Sequence, residues 1–98
     1  MANILQEEVL SNEQIEKALV NLPGWSHEAQ VITRTFEFDS FLEAIAFVNR
    51  VAVVAENVNH HPDFDIHFKR VVLNIWTHSK QAITRADIQL AGQIDKVA

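Results

Sequence analysis

Cysteine is absent from the 98 residues, and glycine and proline occur only twice each. The first absence excludes disulfide staples and thiolate chemistry, and it suits a reducing compartment. The second leaves little room for flexible linkers. A chain that is 48% hydrophobic and 21% charged is therefore expected to fold throughout, as one domain covering residues 1–98. A domain of that size buries about 60–68% of its unfolded surface, enough for one core with little to spare. Positive charge is also scarce, with 8 Lys and Arg against 13 Asp and Glu, for a net −5. Phosphate-backbone binding needs a clustered basic face, so no direct nucleic-acid partner is expected, and Lys69-Arg70 reads as a solvated turn. No apolar run is long enough to span a bilayer, and MANILQEEVL lacks the basic flank and apolar stretch of a signal peptide. The expectation is a cytoplasmic protein with no membrane partner.

What is present is patterned. Ser11 and Gln14 form a capping-box pair that opens a helix carrying Ile15, Ala18, Leu19 and Leu22, and Pro23-Gly24 stops it. Trp25 begins an extended segment, which pairs across a turn around residues 26–30 with a β-branched and aromatic strand, Val31 to Phe38. Ser40 and Glu43 repeat the capping signal ahead of the longest helix, Phe41 to Val58, which Pro62 obliges to end by Asn59 or His60. Phe64, Ile66 and Phe68 alternate with Asp63, Asp65 and His67, a strand with one wet face. Its partner runs from Val71 to Thr77 with Val71, Leu73, Ile75 and Thr77 on one side. Thr84 caps a last helix whose buried stripe is Ile83, Ala86, Leu90, Ala91, Ile94 and Val97. The order α-β-β-α-β-β-α predicts an α+β fold: a four-stranded, mainly antiparallel sheet with three helices on one face.

The long helix carries two apolar stripes. At 100° per residue, Phe41, Ile45, Val48, Ala52 and Ala55 form one, expected to face the sheet. Phe47, Val51, Val54 and Val58 form another, to be covered either by a terminal helix of the same chain or by a second subunit.

Three of the five histidines fall in the stretch AENVNHHPDFDIHF, residues 55–68. A histidine at a helix C-terminus is stabilised by the macrodipole, so His60 or His61 has a capping reading that needs no chemistry. His67 lies on the polar phase of a strand, and His27 in a predicted turn. A metal site is disfavoured by adjacency, because neighbouring side chains diverge on a helix or strand and no Cys or paired carboxylate completes a familiar ligand set. Proton transfer is the remaining reading. Imidazole both gives and takes protons near neutral pH, and His78 stands at a strand end where it can face the other two. Ser79 beside it has no nucleophile-elbow context.

Those residues carry a resemblance. Gly24-Trp25, Phe36-x-Phe38-x-x-Phe41, Ala55-Glu56-x-x-Asn59-His60-His61-Pro62-Asp63-Phe64, Thr77-His78 and Asp87-x-x-Leu90-Ala91 together resemble the pterin-4a-carbinolamine dehydratase family across nearly the whole chain. The resemblance implies the same α+β fold and a dehydration that uses no metal and no cofactor. The substrate would be 4a-hydroxytetrahydropterin, converted to quinonoid dihydropterin in pterin cofactor recycling, a lyase reaction of tetrahydrobiopterin metabolism. It implies His60, His61 and His78 as catalytic residues: His60 as acid toward the hydroxyl, His78 as its counterpart across the ring, and His61 orienting the pterin. It implies substrate-binding or site-supporting roles for Glu56, Asn59, Pro62, Thr77, Asp87 and Trp25. Thr84-x-x-Asp87 is at the same time a capping pattern, and Trp25 has a core reading of equal weight. A homodimer or homotetramer and a functional link to an aromatic amino acid hydroxylase are implied as well. The alternative from the same resemblance is a non-catalytic dimerisation or assembly partner of a transcription factor or enzyme. The chain departs from the family pattern at Phe68-Lys69 and in the loop Ser79 to Ile83, where many members carry a glycine turn.

Overall fold

The computed structural model describes residues 8–98; the start of the N-terminal stretch read above for a leader lies outside them. The first helix, α1, spans Asn12–Leu19 and opens as the spacing predicts. The Ser11 hydroxyl accepts from the Gln14 N–H at 3.1 Å, and the Gln14 side chain accepts from the Ser11 N–H at 2.8 Å. Strands β1 (Ser26–Glu28) and β2 (Val31–Glu37) form the first hairpin. The turn is tighter than expected. Most of residues 26–30 is strand, including His27, and only Ala29 and Gln30 make the reversal, with Ala29 at φ 52°.

Helix α2 spans Phe41–Val58, as its caps predict. Ser40 accepts from the Glu43 N–H at 3.1 Å, but the Glu43 carboxylate reaches past Ser40 to the Asp39 N–H, also at 3.1 Å, so the reciprocal half of the box is displaced by one residue. Strands β3 (Asp63–His67) and β4 (Arg70–Ile75) form the second hairpin, and α3 (Arg85–Asp95) closes the fold. The sheet order is β1-β2-β4-β3 with every pairing antiparallel.

One face of that sheet is apolar and carries the helices. Ile32, Phe36, Val71, Leu73 and Ile75 are all buried and packed with Leu90, Ala91 and Ile94 of α3. Helix α2 presents Ala44, Phe47, Val51 and Ala55 to this core. Phe47 sits 4.6 Å from the ring of Phe36 and 5.1 Å from that of Phe38, so the stripe expected to be left over is the one that meets the sheet. Of the stripe expected to face it, Phe41 is 46% exposed and Ala52 is exposed, although Ala55 is buried and Val48 packs against the core, while Val58 of the other stripe is 48% exposed. The two stripes are neighbours on one helix, and the aromatic side chain at Phe47 decides between them because Phe36 and Phe38 offer it ring partners. β3 also differs from expectation: it is wet on both faces. Phe64 and Ile66 stand opposite Leu73 and Val71 but are 37% and 41% exposed.

Candidate active site

The helix α2 ends at Asn59, whose left-handed conformation (φ 53°, ψ 42°) suits asparagine better than most side chains. His60 N–H then closes onto the Ala55 carbonyl at 3.1 Å. The two adjacent imidazoles go to different partners. His60 Nε2 meets Asp87 Oδ1 at 2.5 Å, on the first turn of α3. His61 Nε2 meets Glu56 Oε2 at 2.5 Å, on the solvent side of α2.

Asp87 is fully buried, and a carboxylate there is costly unless donors surround it. It has them. The Thr84 N–H and the Thr77 hydroxyl each donate to Oδ2 at 2.8 Å, and His60 reaches the other oxygen. Because Thr77 spends its proton on Asp87, the 2.8 Å contact between the Thr77 and Thr84 hydroxyls takes its proton from Thr84. The carboxylate that caps α3 is thus also the hydrogen-bond partner of His60. His60 commits its Nε2 to this carboxylate, and Nδ1 is the ring nitrogen outside that contact.

Thr77 itself is fixed by a bridge to Ala82, with its N–H on the Ala82 carbonyl at 2.9 Å. The loop between them is a single 3₁₀ turn, His78–Lys80, closed by Gln81 in the left-handed region at φ 49°. The departure in this loop thus leaves a short, hydrogen-bonded turn that presents His78. Its Nε2 lies 3.7 Å from Asp63 Oδ2, beyond hydrogen-bond distance.

All three histidines line one shallow cavity of about 270 Å³, together with Asn59, Pro62, Asp63, Trp76, Thr77 and Ser79. A larger hollow of about 520 Å³ lies between Val58 and α3, but of the three histidines only His60 borders it. The smaller cavity is where the chemistry converges. Glu56 and Asp87 stand behind His61 and His60 rather than in the cavity lining. Trp25 is elsewhere. It is buried, with its ring edge-on to Phe36 at 6.2 Å and its Nε1–H donating to Asp95 at 2.9 Å, so its place is in the core. His67 is half-exposed beside Asp65, and His27 packs on β1 near Glu16. Three lining residues were not placed in the site by the sequence reading: Asp63, Trp76 and Ser79, the last of which adjoins His78. The signal for the first two was strand alternation, since Asp63 pairs with Asn74 and Trp76 follows two residues later on the same phase.

Three imidazoles line one cavity, two of them hydrogen-bonded to carboxylates, and imidazole is a side chain chemically able to give and take protons near neutral pH. Comparison with known proteins identifies the family. Residues 8–97 match the family model for pterin 4 alpha carbinolamine dehydratase. The chain belongs to that family. It is 48% identical over 91 residues to a Nocardia farcinica protein provisionally assigned as a pterin-4-alpha-carbinolamine dehydratase, covering 93% of this chain and 96% of that one. A Sulfolobus acidocaldarius protein with the same provisional assignment is 36% identical over 88 residues, with 90% and 97% covered. Among solved structures, a transcriptional coactivator/pterin dehydratase from Brucella melitensis superposes with a TM-score of 0.88 at 32% identity, covering 93% of this chain and 99% of that one. A pterin dehydratase-like protein described as a RuBisCO assembly factor of the alpha-carboxysome shares the fold, at a TM-score of 0.66 and 19% identity over 76% of this chain and 89% of that one.

Proposed function

We propose that the protein dehydrates 4a-hydroxytetrahydropterin to quinonoid dihydropterin. The observation that carries the reading is the convergence of His60, His61 and His78 on one cavity in a chain of this family. The C4a–O bond breaks as the hydroxyl takes a proton and leaves as water. The N5–H bond gives its proton to a base, and its electron pair forms the C4a=N5 double bond. One acid and one base suffice, and the proton account closes without any other reactant.

His60 is assigned as the acid toward the hydroxyl, through the Nδ1 that Asp87 leaves available, and His78 as the base at N5. His61, steadied by Glu56 in a solvent-facing pair, orients the ring, with Asn59, Pro62 and Thr77 shaping the cavity. Such a reaction belongs beside an aromatic amino acid hydroxylase, in cofactor recycling in the cytoplasm. The test is the ultraviolet-monitored decay of freshly generated 4a-hydroxytetrahydropterin. Acceleration above buffer supports the reading, and a rate equal to buffer removes it.

A homo-oligomer belongs to the same proposal. Leu42 and Val53 on α2 are 78% and 61% exposed, and Phe64 and Ile66 on β3 are also open in a small domain. Val54, by contrast, packs against the core, so the informative change is Val53→Asp: light scattering should move to a smaller species while circular dichroism keeps the fold. The same exposed surface favours a second reading, a non-catalytic binding partner, in line with the coactivator description of the Brucella protein. Loss of partner binding in Val53→Asp, with the three histidines dispensable, would select it.

A further inference from the structure

The three histidines are not held in the same way. His60 and His61 each commit Nε2 to a carboxylate at 2.5 Å. The His78 ring has no hydrogen bond of that kind among the described residues; its Nε2 stands 3.7 Å from Asp63 Oδ2 and the side chain is 60% exposed. A base must keep its exchanging nitrogen uncommitted, so an open Nε2 suits the role, but a ring without an anchor samples rotamers in which it misses the substrate. Something else has to fix it.

That something is aromatic. The Trp76 indole lies against the His78 imidazole with ring centroids 4.3 Å apart and planes tilted by 42°. The indole is pinned in turn, since its Nε1–H donates to Asp63 Oδ2 at 3.1 Å. Strand alternation puts the pair in place: Asp63 stands across from Asn74, and Trp76 lies two residues on, just past the end of β4. We propose that Asp63 and Trp76 are positioning residues for His78: the Asp63 carboxylate anchors the indole, and the indole face holds the imidazole at the cavity with Nε2 free. The catalytic part of this proposal rests on the dehydratase reading; the positioning part does not.

The test uses the intact protein labelled with ¹³C at histidine. In the proton–carbon spectrum, the indole ring current displaces the ring protons of His78 from the positions of an exposed imidazole such as His67. Trp76→Leu abolishes the displacement and Asp63→Ala diminishes it. Asp63→Asn, whose amide oxygen still accepts from the indole, restores it. In the dehydration assay Trp76→Leu and Asp63→Ala lower kcat by about 10-fold while KM stays within about twofold, as expected for misplacement of a group that acts in the transition state. Asp63→Asn recovers most of that loss. A displacement that persists in Asp63→Ala overturns the proposal, and so does an unchanged kcat in both Trp76→Leu and Asp63→Ala. If the parent protein does not accelerate the reaction at all, the dehydratase reading falls. The ring-current shift then still decides whether Asp63 and Trp76 position the imidazole.

Discussion

His60 and His61 are neighbours in sequence, and each meets a carboxylate at 2.5 Å. Their surroundings are opposite. The His60 and Asp87 side chains are 19% and 0% exposed, whereas those of His61 and Glu56 are 51% and 77% exposed. A buried carboxylate with three donors resists every rearrangement that would orphan one of them. A pair in water exchanges its partners for solvent at little cost. Equal distances therefore conceal unequal consequences: one histidine is built into the fold, and the other is attached to it.

Removing the imidazoles tests this contrast most severely. His60→Ala and His78→Ala should each lower kcat by about 10²–10⁴-fold, the usual worth of general acid–base help, and the double variant should fall further than either. His61→Ala should act chiefly on KM. A His61→Ala variant as slow as His60→Ala would erase the functional side of the comparison, and full activity in the His60/His78 double variant would remove the mechanism altogether.

Removing the carboxylates comes next. Asp87→Ala leaves Thr77, Thr84 and His60 without their shared acceptor, and chemical denaturation should register a loss of about 2–4 kcal/mol. Glu56→Ala should stay within about 0.5 kcal/mol of the parent. Similar losses from the two would mean that burial is not what separates them. The smallest effect is expected in the loop beside His78. Gln81→Gly relieves a side chain at φ 49° and should change the unfolding midpoint by the equivalent of no more than about 1 kcal/mol, in the stabilising direction.

Much of this was legible in the sequence. Caps and breakers located the helices because they act locally: Ser11, Ser40 and Thr84 announce starts through bonds to residues three positions away, and Pro62 announces an end by restricting the residue before it. The alternation in β4 was equally plain, since Val71, Leu73 and Ile75 are all fully buried. Assigning the two stripes of α2 required knowing that Phe36 and Phe38 await Phe47, and periodicity does not carry that tertiary information. The exposure of β3 was hidden for the same reason, because alternation reports which residues share a face and not whether a helix covers it. In the candidate site, His60, His61 and His78 stood out as side chains able to exchange protons, and Asp87 entered through the family resemblance. Trp25 was placed with them by resemblance, yet Asp95, 70 residues away, holds it in the core. Asp63 and Trp76 escaped notice because their pairing depends on strand register.

The last helix is fastened at both ends. Its first turn carries Asp87, tied to His60, Thr77 and Thr84; at its final residue, Asp95 accepts from Trp25 and from Arg34 Nη1 at 3.0 Å. Eleven residues make a rod about 16 Å long. A rod clamped at two points transmits slack: loosening the far clamp lets the near end rock. Gly24 guards that far clamp, because at φ 97° it leaves room for Arg34, and a Cβ there would come within 2.8 Å of the guanidinium. A single methyl group in a surface turn, far in sequence from His60, His61 and His78, would thus force the Arg34 guanidinium that holds Asp95 to shift.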